Sequence, residues 1–426
     1  MSNSPSATGH DRWSIIKRGL VGISLASIAA ASIADAATAP PVHVKRDKAH
    51  HAADPKRHSP PAHKRPTPRP PSPPASPLPP SPPASPPPPA PSPPSPGGPP
   101  SGTMKPELGG LLNRGFEAHK LPDLGGFVVK EDWASLEPSP GAFNFSDIDR
   151  QVASAAANGY GVKLRVYAGD VAPDWAKSIG GSPMPFYDHM RHISTTLGRF
   201  WTPAYQSAWQ GLQTALAARY DGNPTVREVN VAGTGSESAE VCLLFANDKS
   251  PGTSSTNGQQ YVAHGYTESA RQSALINDIN FMAQAWPHTH INLFVHPQQQ
   301  LNGSGGVSVS LAATEALITN SYNAHPSQMV FGHTGLGVDV IQGAKSSALQ
   351  MYMYILGHSY PFDIQTQTIS SPSMGGSGVG NPAIVLAWAA SHGLFSVELP
   401  SGWTSWSPTL LASVNASLLA SAHNRT

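Results

Sequence analysis

The chain has 426 residues, 12% of them charged and 39% hydrophobic, with one cysteine, Cys242, and a formal net charge of +1. A single cysteine excludes an intrachain disulfide framework and any multi-cysteine zinc or iron–sulfur site. The small total hides an asymmetry: residues 40–103 are strongly basic, which leaves 104–426 net acidic and argues against nucleic acid as the main partner.

In chain order, Lys17-Arg18 precede the uncharged stretch GLVGISLASIAAASI (19–33), and Ala34-Asp35-Ala36 follows. A charged start, a short apolar core and a small-residue exit read as a secretory leader over 1–36. The alternative, a retained membrane anchor, needs ~20 apolar residues, more than this run supplies. Residues 37–103 then hold more than half of the 45 prolines, behind a basic stretch with His43, His50, His51, His58 and His63. Proline removes amide donors and the composition buries little, so a disordered, extended linker is expected here.

From 104 to 426 short β-branched runs alternate with Ala/Leu-rich amphipathic stretches. Strands are expected at 125–130, 162–168, 227–233, 290–296, 328–333, 362–367 and 394–399, with 111–117 as the weakest candidate for a first strand. Helices are expected at 147–158, 203–220, 268–286, 310–323, 345–357, 381–392 and 408–421. Strict strand–helix alternation over this length predicts an α/β fold, a single (β/α)8 TIM barrel. A doubly wound sheet would require a glycine-rich phosphate loop after an early strand, and none is present.

Barrel sites lie where strands run into the loops that follow them. Those exits carry Lys130, Glu131, Asp132 and Trp133, then Arg165, Tyr167 and Asp170, Glu237 and Glu240, Asn292 and His296, His333, Gln365 and Gln367, and Glu398. Carboxylates, amides and aromatics together suit sugar hydroxyls and the C–H faces of sugar rings. The segment 128–176 carries Trp133, Leu136, Glu137, Pro138, Gly141, Phe143, Asn144, Phe145, Asp149, Gly159, Pro173 and Trp175. In this pattern it resembles the second and third strands of retaining glycoside hydrolases of the (β/α)8 superfamily. The resemblance implies an acid/base glutamate after the fourth strand, where Glu237 and Glu240 stand. It also implies a nucleophilic glutamate at the end of the seventh, where this chain has Gln365 and Gln367. Glu137 in this pattern belongs to the loop, not to the chemistry.

Two carboxyls are needed to cleave a glycosidic bond. Glu240, followed by the apolar run VCLLF, is preferred to Glu237. Glu398, at the end of the last strand in an apolar setting, is expected to have a raised pKa suited to acid work. Carboxyls on the fourth and eighth strands face each other across the mouth, and the wider spacing predicts inversion. Trp133, Arg165, Tyr167, His296, His333, Gln365, Gln367 and Trp403 are the expected substrate-binding residues. His296 and His333 lack an evident third ligand, so they are assigned to sugar hydroxyls, with no metal and no cofactor. The sequence therefore predicts a secreted or cell-wall-tethered monomer acting on a polysaccharide or oligosaccharide by carboxylate acid/base hydrolysis. The alternative is a non-catalytic carbohydrate-binding protein on a degenerate glycosidase barrel. N-terminal sequencing of the exported protein is expected to begin near Ala37; recovery of the chain with Met1 intact would refute the leader.

Overall fold

Within Gly161–Tyr167, Val162, Leu164 and Val166 alternate with Lys163 and Arg165, and a strand turns that period of two into two faces. The apolar face must meet helices and the charged face must enter the barrel, so this one segment already orients the sheet. The computed structural model describes residues 103–115, 121, 123–189, 191–236, 240–243, 245–343, 346–367 and 379–424. The leader expected at 1–36 and, Thr103 apart, the linker expected at 37–103 lie outside the described residues.

Twelve described strands follow in order: β1 (Gly110–Asn113), β2 (Gly126–Asp132), β3 (Gly161–Tyr167), β4 (Met184–Asp188), β5 (Ile193–Leu197), β6 (Val226–Asn230), β7 (His290–Phe294), β8 (Gln299–Leu301), β9 (Val307–Val309), β10 (Met329–Gly332), β11 (Asp363–Gln365) and β12 (Ser396–Leu399). Eight form one sheet in the order β10-β7-β6-β3-β2-β1-β12-β11, every neighbouring pair parallel. The two ends meet through the bridges Phe331–Phe362 and Leu336–Thr366 and through the Gln365 amide, which donates to the His333 carbonyl at 2.8 Å. The result is a near-closed eight-stranded parallel barrel of the TIM type. The weak first strand is real but short: β1 occupies only 110–113.

Seven long helices, 146–157, 203–220, 268–285, 311–324, 347–357, 382–391 and 408–423, lie within two residues of their expected bounds. The antiparallel hairpins β4–β5 and β8–β9 were not anticipated. Pro185 interrupts the first and the second opens on Gln299-Gln300, so neither shows a clean apolar alternation. Both hairpins decorate loops that follow barrel strands, β3 and β7, at the end where barrel sites form. No helix among the described residues is long and apolar enough to cross a membrane.

The main core lies between strands and helices and includes Phe127, Val129, Leu164, Val229, Leu293, Phe331, Ile364 and Val397. Leu108, Leu112 and Val128 form a separate apolar cluster. The barrel interior beyond them is polar, apart from Phe294 and Val330. Gly332 on β10 makes room for that ring: a Cβ there would stand 1.8 Å from Phe294 Cδ1. Gly332→Ala is therefore expected to displace Phe294 and destabilise the protein by about 1–3 kcal/mol, read as a lower denaturant midpoint at unchanged slope.

Candidate functional site

Lys163 and Arg165 enter the barrel from β3, and burying two cations requires buried partners. The sheet brings three carboxyls to them. Lys163 Nζ lies 2.8 Å from Asp363 Oδ2 on β11 and 3.2 Å from both Glu228 Oε2 on β6 and Glu398 Oε1 on β12. Arg165 donates to Glu398 Oε1 at 2.5 Å, to Gln365 Oε1 at 3.0 Å and to Asn230 Oδ1 at 3.2 Å. Its guanidinium stands 4.5 Å from the Phe294 ring centroid. Asn292 on β7 donates to both Glu228 and Asp363 at 3.1 Å. Burial and the charge of Asp363 push the Glu228 pKa upward, against the pull of Lys163.

Glu398 is at the expected strand end, but its environment reverses the expected titration. The residue is 0% exposed. Burial alone would raise its pKa; the charges of Arg165, Lys163 and Arg114 outweigh it and the carboxyl falls to about 2. It is a fixed counter-ion, not a protonated acid poised at the mouth. A carboxylate held by two buried cations has neither the proton nor the access that acid catalysis needs.

Two tryptophans are also relocated. Trp133 is fully buried, packed edge-on against Trp175, Tyr205 and Trp209 at centroid distances of 5.8, 5.4 and 5.3 Å. Its indole N–H donates to Glu137 Oε2 at 2.9 Å, and Glu137 Oε1 accepts the Gly141 amide at 2.8 Å. The Trp-x-x-Leu-Glu-Pro-x-x-Gly stretch thus closes on itself as a loop staple, leaving no indole face for a sugar. Trp403 is likewise buried and donates to Asn113 Oδ1 at 3.1 Å, tying β1 to the turn after β12. Aromatic area was legible in the sequence; the side of the wall it falls on was not.

The other expected residues reach the barrel's C-terminal end. Tyr167 and Gln365 are partly exposed beside Arg165, and Gln367 donates to Gly335 O at 3.3 Å and Asp339 Oδ1 at 3.2 Å. Glu240 forms a parallel bridge with Phe294 of β7, which lays it against the exits of β7 and β10. Its Oε1 accepts the Thr334 amide at 2.8 Å and the Thr334 hydroxyl. His333 Nε2 is 3.7 Å from that oxygen, and the rings of His296 and His333 are 5.6 Å apart. Burial opposes ionisation of Glu240, but the charges of His333 and His296 and the Thr334 hydrogen bonds bring its pKa below the usual value. Burial pushes His333 down to about 4. One ligating atom from each of Glu240, His296 and His333 lies within 4.8 Å of the others. Glu237 lies outside the described residues.

Sequence reasoning missed the supports of this end. Asp278, on the helix 268–285, accepts the Trp209 indole N–H at 2.9 Å and the Gly233 amide at 3.0 Å, anchoring the loop after β6. Gly169 adopts φ +58, and a Cβ there would lie 2.0 Å from Ser236 O, so the loops after β3 and β6 touch backbone to backbone. Arg191 pairs with both Asp170 and Asp188, tying the β4–β5 hairpin to the exit of β3. An aspartate in the middle of a helical stretch carried no sign of this use.

The profile of glycoside hydrolase family 42, described as β-galactosidase, matches residues 127–243. That span runs from β2 to just past Glu240. Among solved structures the chain is similar to a β-galactosidase from Rahnella sp. R3, with 14% identity, a TM-score of 0.46 and coverage of 75% of this chain and 58% of that one. It is also similar to a β-galactosidase from the psychrophilic Marinomonas ef1, with 12% identity, a TM-score of 0.43 and coverage of 74% and 59%. The chain thus spans less than two thirds of the length of either. No curated protein matches it.

The ion network sets an acid limit. Glu398 has a folded pKa lowered to about 2 from the ordinary 4.5, so its contribution is complete above about 4.5 and is lost as pH falls toward 2. Glu398→Gln is expected to cost about 3–5 kcal/mol at neutral pH, because it leaves Arg165 and Lys163 short of a counter-charge. It should also flatten the fall of Tm between pH 4.5 and 2. An unchanged acid limb in the variant would refute this role.

Proposed function

We propose that this glycosidase-like (β/α)8 domain binds a glycan at the C-terminal end of its barrel without cleaving it by the paired-carboxylate route. The observation that carries the reading is the fate of the second carboxyl. The seventh barrel strand presents Gln365 and Gln367, which cannot ionise, and Glu398 is locked beneath Arg165. Glu240 remains, and its lowered pKa makes it an acceptor of hydroxyl hydrogen bonds at neutral pH, not a proton donor. Tyr167, His296 and Gln365, all partly exposed, supply further polar groups and one aromatic ring. The sequence-based reading of a leader and a proline-rich spacer adds that the domain is secreted or held at the cell surface, with a wall or oligosaccharide glycan as ligand.

A second reading, hydrolysis, is favoured by one specific finding: the family profile extends through the segment that carries Glu240. In that reading Glu240 is one of the two carboxyls, with its partner on the same loop, where Glu237 stands in sequence.

A panel of oligosaccharides and polysaccharides, with β-galactosides included because the matched profile bears that name, separates the two. Titration calorimetry with the full chain is expected to show glycan binding that Tyr167→Ala weakens about tenfold, the scale of losing one aromatic contact. No reducing ends should be released on prolonged incubation. Release of sugar by the wild type that Glu240→Gln abolishes would establish hydrolysis instead.

A further inference from the structure

We propose that Glu240, His296 and His333 form a binding site for a divalent transition metal of the zinc type. In sequence the three are 56 and 37 residues apart, without any metal-ligand spacing. The barrel converges them: Glu240 is bridged to Phe294 at the end of β7, His296 follows β7 by two residues, and His333 follows β10 directly. One donor atom from each falls within 4.8 Å of the other two. Two imidazoles and a carboxylate are a donor set that zinc takes, with ligand bonds of ~2.0–2.2 Å, so a modest inward closure of the side chains completes the site.

The hydrogen bonds around the cluster favour this use. His333 Nε2 is buried, has no hydrogen-bond partner, and lies 3.7 Å from Glu240 Oε1, too far for a hydrogen bond. An imidazole nitrogen left without a partner beside a buried carboxylate is costly, and a cation between the two satisfies both. His296 Nδ1 lies 3.1 Å from the Pro297 carbonyl, which holds the ring proton there and leaves the Nε2 lone pair for a metal. At His333, Nδ1 sits 2.6 Å from the Tyr352 hydroxyl and 3.0 Å from the Gly335 amide. With a metal on Nε2 the proton moves to Nδ1 and the Tyr352 oxygen accepts it. The Gly335 amide then gives up its bond to the ring, a small loss against a metal–ligand bond. Thr334, through its amide and hydroxyl, steadies Glu240 Oε1 in the manner of an outer-shell donor.

Three protein ligands leave zinc an open position. His296 is the partly exposed member, so that position opens on its side. If the glycan reading holds, the open position takes a sugar hydroxyl; that extension rests on the proposed function, whereas the metal site itself does not.

The test uses the full chain and no glycan. Its N-terminal histidines, His43, His50, His51, His58 and His63, offer metal sites of their own, so the comparison is between the wild type and variants that share them. Metal-stripped wild type titrated with Zn2+ is expected to bind one equivalent more than His296→Ala, and Glu240→Gln is expected to lose the same equivalent. Circular dichroism serves as the control for folding. Substitution with Co2+ should give the intense visible bands of a four- or five-coordinate site in the wild type, and these should be absent from His296→Ala. Equal Zn2+ stoichiometry in the wild type and both variants, or a Co2+ spectrum that His296→Ala leaves unchanged, overturns the proposal. Should His296→Ala misfold, His296→Gln is read in its place, and a Co2+ spectrum that it leaves unchanged overturns the proposal. Glycan binding that survives such a result would leave the proposed function standing and remove the metal alone.

Discussion

Two cations on one strand govern this barrel. Lys163 and Arg165 lie on the inner face of β3, buried from solvent, and each must find a carboxylate or be expelled. The fold answers with Asp363, Glu228 and Glu398, drawn from three other strands, so that the charges hold β3, β6, β11 and β12 in one register across the barrel. Breaking any member leaves an uncompensated charge in a dry interior, which gives the network its authority over everything around it.

That authority extends to chemistry. A carboxyl can act as acid or nucleophile only while its charge is not already committed. Glu398 is committed to Arg165 and Lys163, and Gln365 to Arg165, so β11 and β12 offer the mouth only neutral or neutralised groups. Arg165 is also stacked over Phe294, whose place Gly332 keeps clear. The polar layer therefore serves as a rigid floor beneath the loops, and the reactive possibilities shift sideways, to the exits of β7 and β10.

There the arrangement is of a different kind. Thr334, Pro297, Tyr352 and Gly335 hold Glu240, His296 and His333 in place through neutral hydrogen bonds. Neutral donors and carbonyls set direction without cancelling charge, which is what a ligand site requires. The supports of the loops, Asp278 under Gly233 and the glycine at 169 against Ser236, keep this region packed against the barrel.

The sequence by itself determined the barrel strands and the long helices, though not the two hairpins. Alternation of short β-branched runs with Ala/Leu-rich stretches, and the spacing between them, placed the eight barrel strands and seven long helices, because the period of a run is a local property. It also identified Glu240, His296, His333 and Arg165 as residues of strand exits. Only the tertiary structure decided what each does there. Whether Trp133 faces the mouth or the helices depends on its packing against Trp175, Tyr205 and Trp209, up to 76 residues away in sequence. Whether Glu398 is raised or lowered depends on cations 233 and 235 residues away in sequence. Whether two histidines have a third partner depends on which loop closes over β7. Each of these is a long-range juxtaposition, and nothing in the local pattern of apolar and polar residues records which strands will be neighbours.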